Sequence, residues 1–181
     1  MLEEILNNQY IEQNFEEIKW LAQKVAQLHP TAILEIGMKH GGTLLVWNTL
    51  LQQNKTNLLI GIDYNLEVSW NVNCSPNTVY VIGGNSHDSN VQNATKALLN
   101  GRKLDFLFLD AEHTNEAVEK DFIAYGELVR PGGFIAFHDI ENLNGFFSHL
   151  DQNKIEKFYG KKPFKKLGLN TIIGIAIYHV N

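Results

Sequence analysis

The chain has 181 residues, of which 44% are hydrophobic and 19% are charged. This length and balance are typical of one globular domain with its own core, and they exclude a disordered chain. The formal net charge of −5 at pH 7 excludes a protein that binds nucleic acid through its overall charge.

The number of cysteines and the first residues indicate in which cellular compartment the protein is expected. The single cysteine, Cys74, excludes an intrachain disulfide and a zinc cluster built from cysteines. The segment MLEEILNNQY has no basic stretch and no long apolar run, so it does not resemble a signal peptide. No apolar stretch approaches the roughly 18 residues of a membrane-spanning helix. We therefore predict a soluble cytoplasmic protein without a membrane partner.

The chain begins with a predicted helix, residues 1–30, in which apolar residues recur every three or four positions until Pro30. This helix is either a packing layer or a lid over a site. Its acidic residues are expected to face solvent: Glu12, Glu16 and Glu17. Strands are then predicted at 32–37, 57–63, 78–82, 104–110, 134–138, 164–167 and 171–180. Helices are predicted between them at 43–53, 89–100, 114–130 and 142–150.

This alternation predicts an α/β fold with a doubly wound, Rossmann-like sheet of seven mostly parallel strands and helices on both faces. One late strand is predicted to be antiparallel, because the short connection between the last two strands cannot form a parallel crossover. The sequence contains no repeat, linker or low-complexity segment. A single domain, residues 1–181, is the simplest organisation.

Polar residues follow five consecutive predicted strands, at the edge of the sheet where ligands of such folds bind. They are Glu35 with Gly37, Asp63, Gly84-Asn85-Ser86, Asp110 with His113, and His138-Asp139. In the stretch AILEIGMKHGGT, a buried strand runs through a glycine turn into a helix start, where a polar or anionic ligand can bind. The glycines could also serve only the turn.

Asp63 and the two later acids have specific chemical interpretations. Asp63 offers two acceptors for ribose hydroxyls, 26 residues after Gly37, although it could simply cap the next segment. Neighbouring strands lie about 4.8 Å apart, so Asp110 and Asp139 could share one divalent cation. Under the alternative, His138 is a packed strand residue and Asp139 a cap.

The chain resembles the class I S-adenosylmethionine-dependent methyltransferases over nearly its whole length. LEIGMKHGGT is similar to their first motif, an acid, then glycine, then glycine four residues later. FLDAEHTNEAVEKDF followed by LVRPGGFIAFHDI resembles a bacterial small-molecule subgroup related to the catechol-type O-methyltransferases. The late antiparallel strand also fits this family.

The resemblance implies a cofactor, S-adenosylmethionine, and roles for individual residues. Residues expected to hold its methionine part are Glu35, Gly37, Gly41 and Thr43. Asp63 is expected to hold the ribose, and Asn85 and Ser86 to border the adenine. In metal-dependent members, acids in the places of Asp110 and Asp139 bind magnesium beside the substrate hydroxyl.

Two departures from the family pattern affect these expectations. Lys39 stands where many members have a glycine. His138-Asp139 replaces an Asp-Asn pair, and a nitrogen ligand suits manganese, iron or zinc better than magnesium. A divalent metal, magnesium or manganese, at Asp110 and Asp139 is one option for activating the substrate. The other is a general base, His113 or His138, beside Asp110.

We therefore predict an enzyme that transfers a methyl group from S-adenosylmethionine to a small-molecule acceptor, most simply a hydroxyl. The alternatives are an NAD-dependent oxidoreductase, a metal-dependent hydrolase using the same histidines and acids, and a degenerate cofactor-binding module. The partner is a small-molecule substrate and not nucleic acid, and a homodimer is compatible with the sequence. A lysine-rich segment, 154–166, is interpreted as a solvated loop, with a basic rim for an anionic substrate as the alternative.

Overall fold

The computed structural model describes residues 6, 11–51, 56–66, 77–160 and 174–181. The α-helices whose bounds are described are α1 (Phe15–Ala26), α2 (Gly42–Leu50), α3 (Ser89–Leu99), α4 (Asn115–Gly126) and α5 (Asn144–Ser148). Its strands are β1 (Ala32–Ile36), β2 (Leu58–Asp63), β3 (Thr78–Gly83), β4 (Leu104–Leu109), β5 (Val129–His138), β6 (Ile155–Phe158) and β7 (Ile175–His179). Two 3₁₀ turns, Ile140–Asn142 and Gln152–Lys154, flank α5.

The strands form one sheet in the order β3-β2-β1-β4-β5-β7-β6. The first five strands pair in parallel, and β7 is antiparallel to both β5 and β6. The predicted fold class is thereby confirmed. The predicted partner of the last strand, 164–167, lies outside the described residues, and β6 is the partner observed there. The order reverses between β1 and β4, so a crevice opens at the carboxyl ends of these two strands.

The core lies on both faces of the sheet because successive residues of β1 point to opposite sides. Ile33 packs in one apolar cluster with residues of α1 and α2, among them Leu21 and Trp47. Leu34 packs in the other cluster with residues of α3, α4 and α5. Every residue of β1 is buried, as expected for a strand covered by helices on both faces.

The N-terminal helix is shorter and more buried than the periodicity predicts. It begins after Asn14, whose side chain accepts a hydrogen bond of 2.9 Å from the Glu16 amide, and ends at Ala26. Residues 1–5 and 7–10 of the predicted helix lie outside the described residues. The expectation that Glu17 faces solvent is wrong, because only 1% of this residue is exposed. Position 17 precedes Leu21 by one helical turn and therefore lies on the buried stripe of α1.

The helix predicted at 114–130 ends earlier than expected. Its start is confirmed, since the Thr114 hydroxyl accepts a hydrogen bond of 3.2 Å from the Ala117 amide. Its end is at Gly126, and Val129 belongs to β5, where it pairs with Leu104. If the helix continued to residue 130, Val129 could not pair with Leu104 in the sheet. Strand pairing therefore determines the structure here, although the apolar spacing favours a helix.

The buried carboxylate of Asp105 links β1, β4 and β5 at the end of these strands that is opposite the crevice. Asp105 Oδ2 accepts hydrogen bonds from the Thr31 and Ala32 amides at 2.7 and 3.0 Å. Its Oδ1 accepts one from Arg130 Nε at 2.5 Å. Burial alone would raise the pKa of Asp105, but the hydrogen bonds from Thr31, Arg130 and Ala32 outweigh it and hold the pKa below its ordinary value.

We predict that Asp105→Ala lowers the free energy of unfolding near pH 7 by about 2–3 kcal/mol, because charged hydrogen bonds are lost and two amides lose their acceptor. A depressed folded-state pKa stabilises above the ordinary value of 3.8. That contribution disappears as pH falls through the folded-state pKa. Urea unfolding of both proteins at neutral and acidic pH measures this. The exposed Glu141→Ala is the control, and an equal loss at every pH would contradict the prediction.

Candidate active site

A cavity of about 670 Å³ opens at the carboxyl ends of β1 to β5. Nine of the predicted site residues lie on its wall: Gly37, Thr43, Asp63, Asn85, Ser86, Asp110, His113, His138 and Asp139. The two others, Glu35 and Gly41, lie behind the wall. Sequence reasoning did not single out several further lining residues: Glu12, Gln13, Tyr64, His87, Glu112 and Asp121.

The glycine turn after β1 is fixed by its closeness to the end of β4. Gly37 has a φ of +88°, and a Cβ added there would lie 2.3 Å from the Asp110 carbonyl oxygen. Its amide donates a hydrogen bond of 2.8 Å to the Ile62 carbonyl of β2. Only glycine fits this conformation and this space. Gly41, with a φ of +76°, precedes the first turn of α2, so it shapes the turn without lining the cavity.

Lys39 takes the place of the expected glycine with a left-handed backbone, φ +44°. Its amide donates a hydrogen bond of 2.7 Å to Asp63 Oδ2, which fastens the turn to the end of β2. Its ammonium lies 2.7 Å from Glu12 Oε2 at the mouth of the cavity. Asp63 Oδ1 accepts from the Asn65 amide at 2.9 Å. Both carboxylate oxygens are held by backbone amides, and each keeps a lone pair for a ligand.

Glu35 lies in β1, fully buried beneath the glycine turn. Its Oε1 accepts a hydrogen bond from the hydroxyl of Thr43, which lies on the cavity wall. Burial raises the pKa of Glu35 well above its ordinary value. The structure therefore places Glu35 behind Thr43 and not on the wall.

Two histidines and two acids meet at the ends of β4 and β5. His138 Nδ1 lies 3.0 Å from Asp110 Oδ1 and 3.1 Å from Asp139 Oδ1. His113 Nε2 lies 3.2 Å from Asp139 Oδ2 and 4.0 Å from Asp110 Oδ1. The four side chains predicted from strand ends thus form one cluster. Gln13 completes it from the segment before α1, donating a hydrogen bond of 2.5 Å to Asp110 Oδ2.

Asp139 reaches this cluster through a strained backbone. Its φ of +52° and ψ of +46° lie in the left-handed region, which costs a non-glycine residue on the order of 1–3 kcal/mol. This conformation ends β5 and turns the chain into the following 3₁₀ turn. Its carboxylate lies between the two histidines as a result.

His138 carries a proton at neutral pH because carboxylates surround it. Burial lowers its pKa, but Asp110, Glu17 and Asp139 outweigh the burial and raise the pKa to about 10. Glu17 Oε2 lies 3.6 Å from His138 Nε2, on the side away from Asp110. The other oxygen of Glu17 accepts hydrogen bonds from the amides of Gly160 and Gly174 at 2.9 and 3.2 Å.

The predicted magnesium or manganese ion would have two carboxylate ligands in this cluster, Asp110 and Asp139. Within the described ranges, no three His, Cys, Asp or Glu side chains are grouped so that they could hold a metal ion. The protonated ring of His138 supplies positive charge beside the two carboxylates. A metal ion held by Asp110 and Asp139 stays a prediction.

A second acid–histidine pair lies at the β3 end of the cavity. His87 Nε2 and Asp121 Oδ1 are 3.4 Å apart, and both atoms are buried without a hydrogen-bond partner. Burial raises the pKa of Asp121 above its ordinary value. The Tyr125 hydroxyl, one turn further along α4, donates a hydrogen bond of 2.7 Å to the Ser86 carbonyl. The sequence contained one signal for this pair: Asp121 and Tyr125 are four residues apart in α4, which puts both on one helical face.

We predict that Glu35→Gln raises the stability of the protein more at pH 8 than at pH 5. In the wild type the unfolded chain ionises Glu35 above its ordinary pKa of 4.5, whereas burial in the folded chain raises the pKa and delays this ionisation to higher pH. Stability therefore falls with rising pH, by at most about 1.4 kcal/mol per pH unit for one proton. Glutamine has no such titration. Urea unfolding at both pH values tests this, with Glu141→Gln as control, and an identical pH dependence in Glu35→Gln would contradict it.

Comparison with known sequences identifies the family. A family described as Methyltransferase domain matches residues 34–140, more than half of the chain. Uncharacterized protein R132 of Acanthamoeba polyphaga mimivirus is 34% identical over 121 residues, which are 60% of this chain and 51% of that protein. The chain thus spans about half the length of this curated relative. In the described part of the chain, no helix has the length and apolar character to cross a membrane.

Solved structures share the fold. An O-methyltransferase from Bacillus cereus, in complex with SAH, matches with a TM-score of 0.67 at 17% identity, over 99% of this chain and 90% of that one. The O-methyltransferase TomG from Streptomyces achromogenes, involved in tomaymycin synthesis and in complex with SAM, matches with a TM-score of 0.66 at 14% identity, over 93% of this chain and 81% of that one. Together with the family match, these similarities confirm the resemblance seen in the sequence: the chain belongs to the methyltransferase-domain family.

Proposed function

We propose that the protein transfers a methyl group from S-adenosylmethionine to a hydroxyl of a small molecule. The observation that carries this proposal is the division of one cavity into two chemical regions. Asp63, Asn85 and Ser86 line the part below β2 and β3, whereas the histidine–aspartate cluster lines the part below β4 and β5. The family match supports the reaction class.

The cavity wall fits the proposed cofactor. Gly37 leaves no side chain at the turn, and Asp63 faces the cavity with both oxygens oriented by amides. The buried atoms without partners at His87 and Asp121 call for a polar ligand at the far end. In this proposal the methionine part is held at Gly37 and Thr43, supported by Glu35 and Gly41. Asp63 holds the ribose, and Asn85 and Ser86 border the adenine.

S-adenosylmethionine, when bound, supplies a methyl group already activated on a sulfonium, so the protein must chiefly orient the acceptor and remove its proton. His113 is the proposed base. A proton on Nε2 is directed to Asp139 Oδ2 at 3.2 Å, which leaves the other ring nitrogen free to accept a proton from the substrate hydroxyl. Asp139 thus selects the tautomer of His113.

His138 has a different role in this proposal. With a pKa of about 10 it keeps its proton at neutral pH and does not act as a base. Its positive charge beside Asp110 favours the oxygen that becomes negative as the hydroxyl is deprotonated. No step requires a metal ion.

The alternatives explain less of the cavity. An NAD-dependent oxidoreductase shares the glycine turn and Asp63, but leaves the His113–Asp139 pair without a role. A metal-dependent hydrolase uses the cluster but requires a metal ion, and the described residues include no group of three His, Cys, Asp or Glu side chains placed to hold one. The family match favours methyl transfer over both. The cytoplasmic location and the homodimer stay predictions.

Calorimetric titration distinguishes the cofactor hypotheses. We predict that the protein binds S-adenosylmethionine and SAH but not NAD, and that Asp63→Ala weakens SAH binding roughly 30- to 100-fold because charged hydrogen bonds to the ribose are lost. The exposed Glu119→Ala on α4 is the control, and circular dichroism checks that each variant is folded. Binding of NAD without binding of the sulfonium cofactor would overturn the proposal.

We predict that His113→Asn lowers kcat roughly 10²- to 10⁴-fold, the usual contribution of a general base, while the Kd for SAH stays within about twofold. Turnover is measured as SAH release with a panel of phenolic and sugar hydroxyl acceptors. The exposed His149→Asn is the matched control. A degenerate module would bind SAH without turnover on any acceptor, and near-normal kcat in His113→Asn would remove His113 as the base.

A further inference from the structure

Buried polar atoms without partners mark where a polar ligand is missing, because such atoms are rare in folded proteins. Among the described residues, four of the residues with such an atom also line the cavity: His87, Asp121, His138 and Asp139. They form two pairs at opposite ends. His138 and Asp139 follow β5 and belong to the proposed catalytic cluster. His87 follows β3, and Asp121 reaches it from α4.

Three other acceptors at the β3 end already accept hydrogen bonds within the protein. Asn85 Oδ1 accepts the His87 amide at 2.9 Å, and the Asn85 carbonyl accepts the Asp88 amide at 2.9 Å. The Ser86 carbonyl accepts both the Tyr125 hydroxyl and Gln92 Nε2. At this end of the cavity, His87 Nε2 and Asp121 Oδ1 are buried side-chain atoms without a hydrogen-bond partner in the described part of the chain.

These two atoms present one hydrogen-bond acceptor beside one hydrogen-bond donor. Asp121 Oδ1 is an acceptor, and the imidazole of His87 donates through Nε2 when that nitrogen carries a proton. At a separation of 3.4 Å they can meet two adjacent polar groups of one ring edge. An edge complementary to them has a donor beside an acceptor. Adenine has this edge, since its 6-amino group lies next to ring-nitrogen acceptors.

We infer that Asp121 and His87 read the 6-amino edge of the cofactor's adenine and discriminate against purines with a 6-oxo group. The inference rests on the proposed function. A 6-oxo purine presents an acceptor where adenine presents the amine. It would place oxygen against the carboxylate of Asp121 and leave that buried group without a donor, which is unfavourable. Asn85 and Ser86, predicted to border the adenine, then act through backbone shape while Asp121 and His87 supply the hydrogen bonds.

The test compares two ligands that differ at one position, SAH and its deaminated form, S-inosylhomocysteine. We expect the wild-type protein to bind SAH roughly 10- to 100-fold more tightly by calorimetry, the usual discrimination of a paired hydrogen-bond edge. In Asp121→Asn that ratio should fall towards one, because an amide can rotate to present either its oxygen or its NH₂. Glu119→Gln, an exposed acid on the same helix, should keep the wild-type ratio.

A second variant guards against loss of the fold. If circular dichroism shows Asp121→Asn unfolded, His87→Ala provides the same comparison from a loop that is more tolerant of change. A ratio that stays at the wild-type value in the folded variants overturns the inference, as does a wild-type protein that binds both ligands equally. A wild-type protein that binds neither ligand overturns the proposed function and the inference with it.

Discussion

The close approach of the first turn to the end of β4 is the constraint on which the cavity depends. Gly37 passes so near the backbone of Asp110 and Ala111 that no side chain fits between them. This contact places the two strands that flank the reversal of strand order side by side at their carboxyl ends. The turn after β1 and the acid after β4 therefore border the same crevice. A larger residue at position 37 would separate the two regions of the proposed site.

The protein itself offsets part of the negative charge in the cluster. Three carboxylates, Glu17, Asp110 and Asp139, surround one deeply buried imidazole, and unpaired charges at this depth would be strongly unfavourable. A protonated His138 offsets part of that negative charge without an external cation. In the proposed mechanism His113, at the less buried side of the cluster, is the ring that takes the proton. The proposal thus gives the two histidines different roles according to their depth in the fold.

The residues that follow the strands were predictable, because the carboxyl ends of neighbouring parallel strands meet at the same end of a sheet. Asp63, Asp110, His113, His138 and Asp139 were located in this way, and the structure places them on one cavity wall. The burial of Glu35 behind Thr43 was not predicted, because this contact depends on how α2, which carries Thr43, packs against β1. Gln13, Glu17 and Asp121 were not found because their partners lie far along the chain. Helix periodicity gives the face of a helix but not the strand it meets.

The two hydrogen bonds that the Glu17 carboxylate accepts have a consequence for how the protein folds. Its partners, Gly160 and Gly174, are 143 and 157 residues away in sequence. Contacts of such separation carry a high loop-closure cost, so they form after the local βα units. The docking of α1 and the ordering of His138 therefore belong to the end of folding. On a chain still emerging from the ribosome, we expect the residues proposed to hold the cofactor to come together before those of the proposed catalytic cluster.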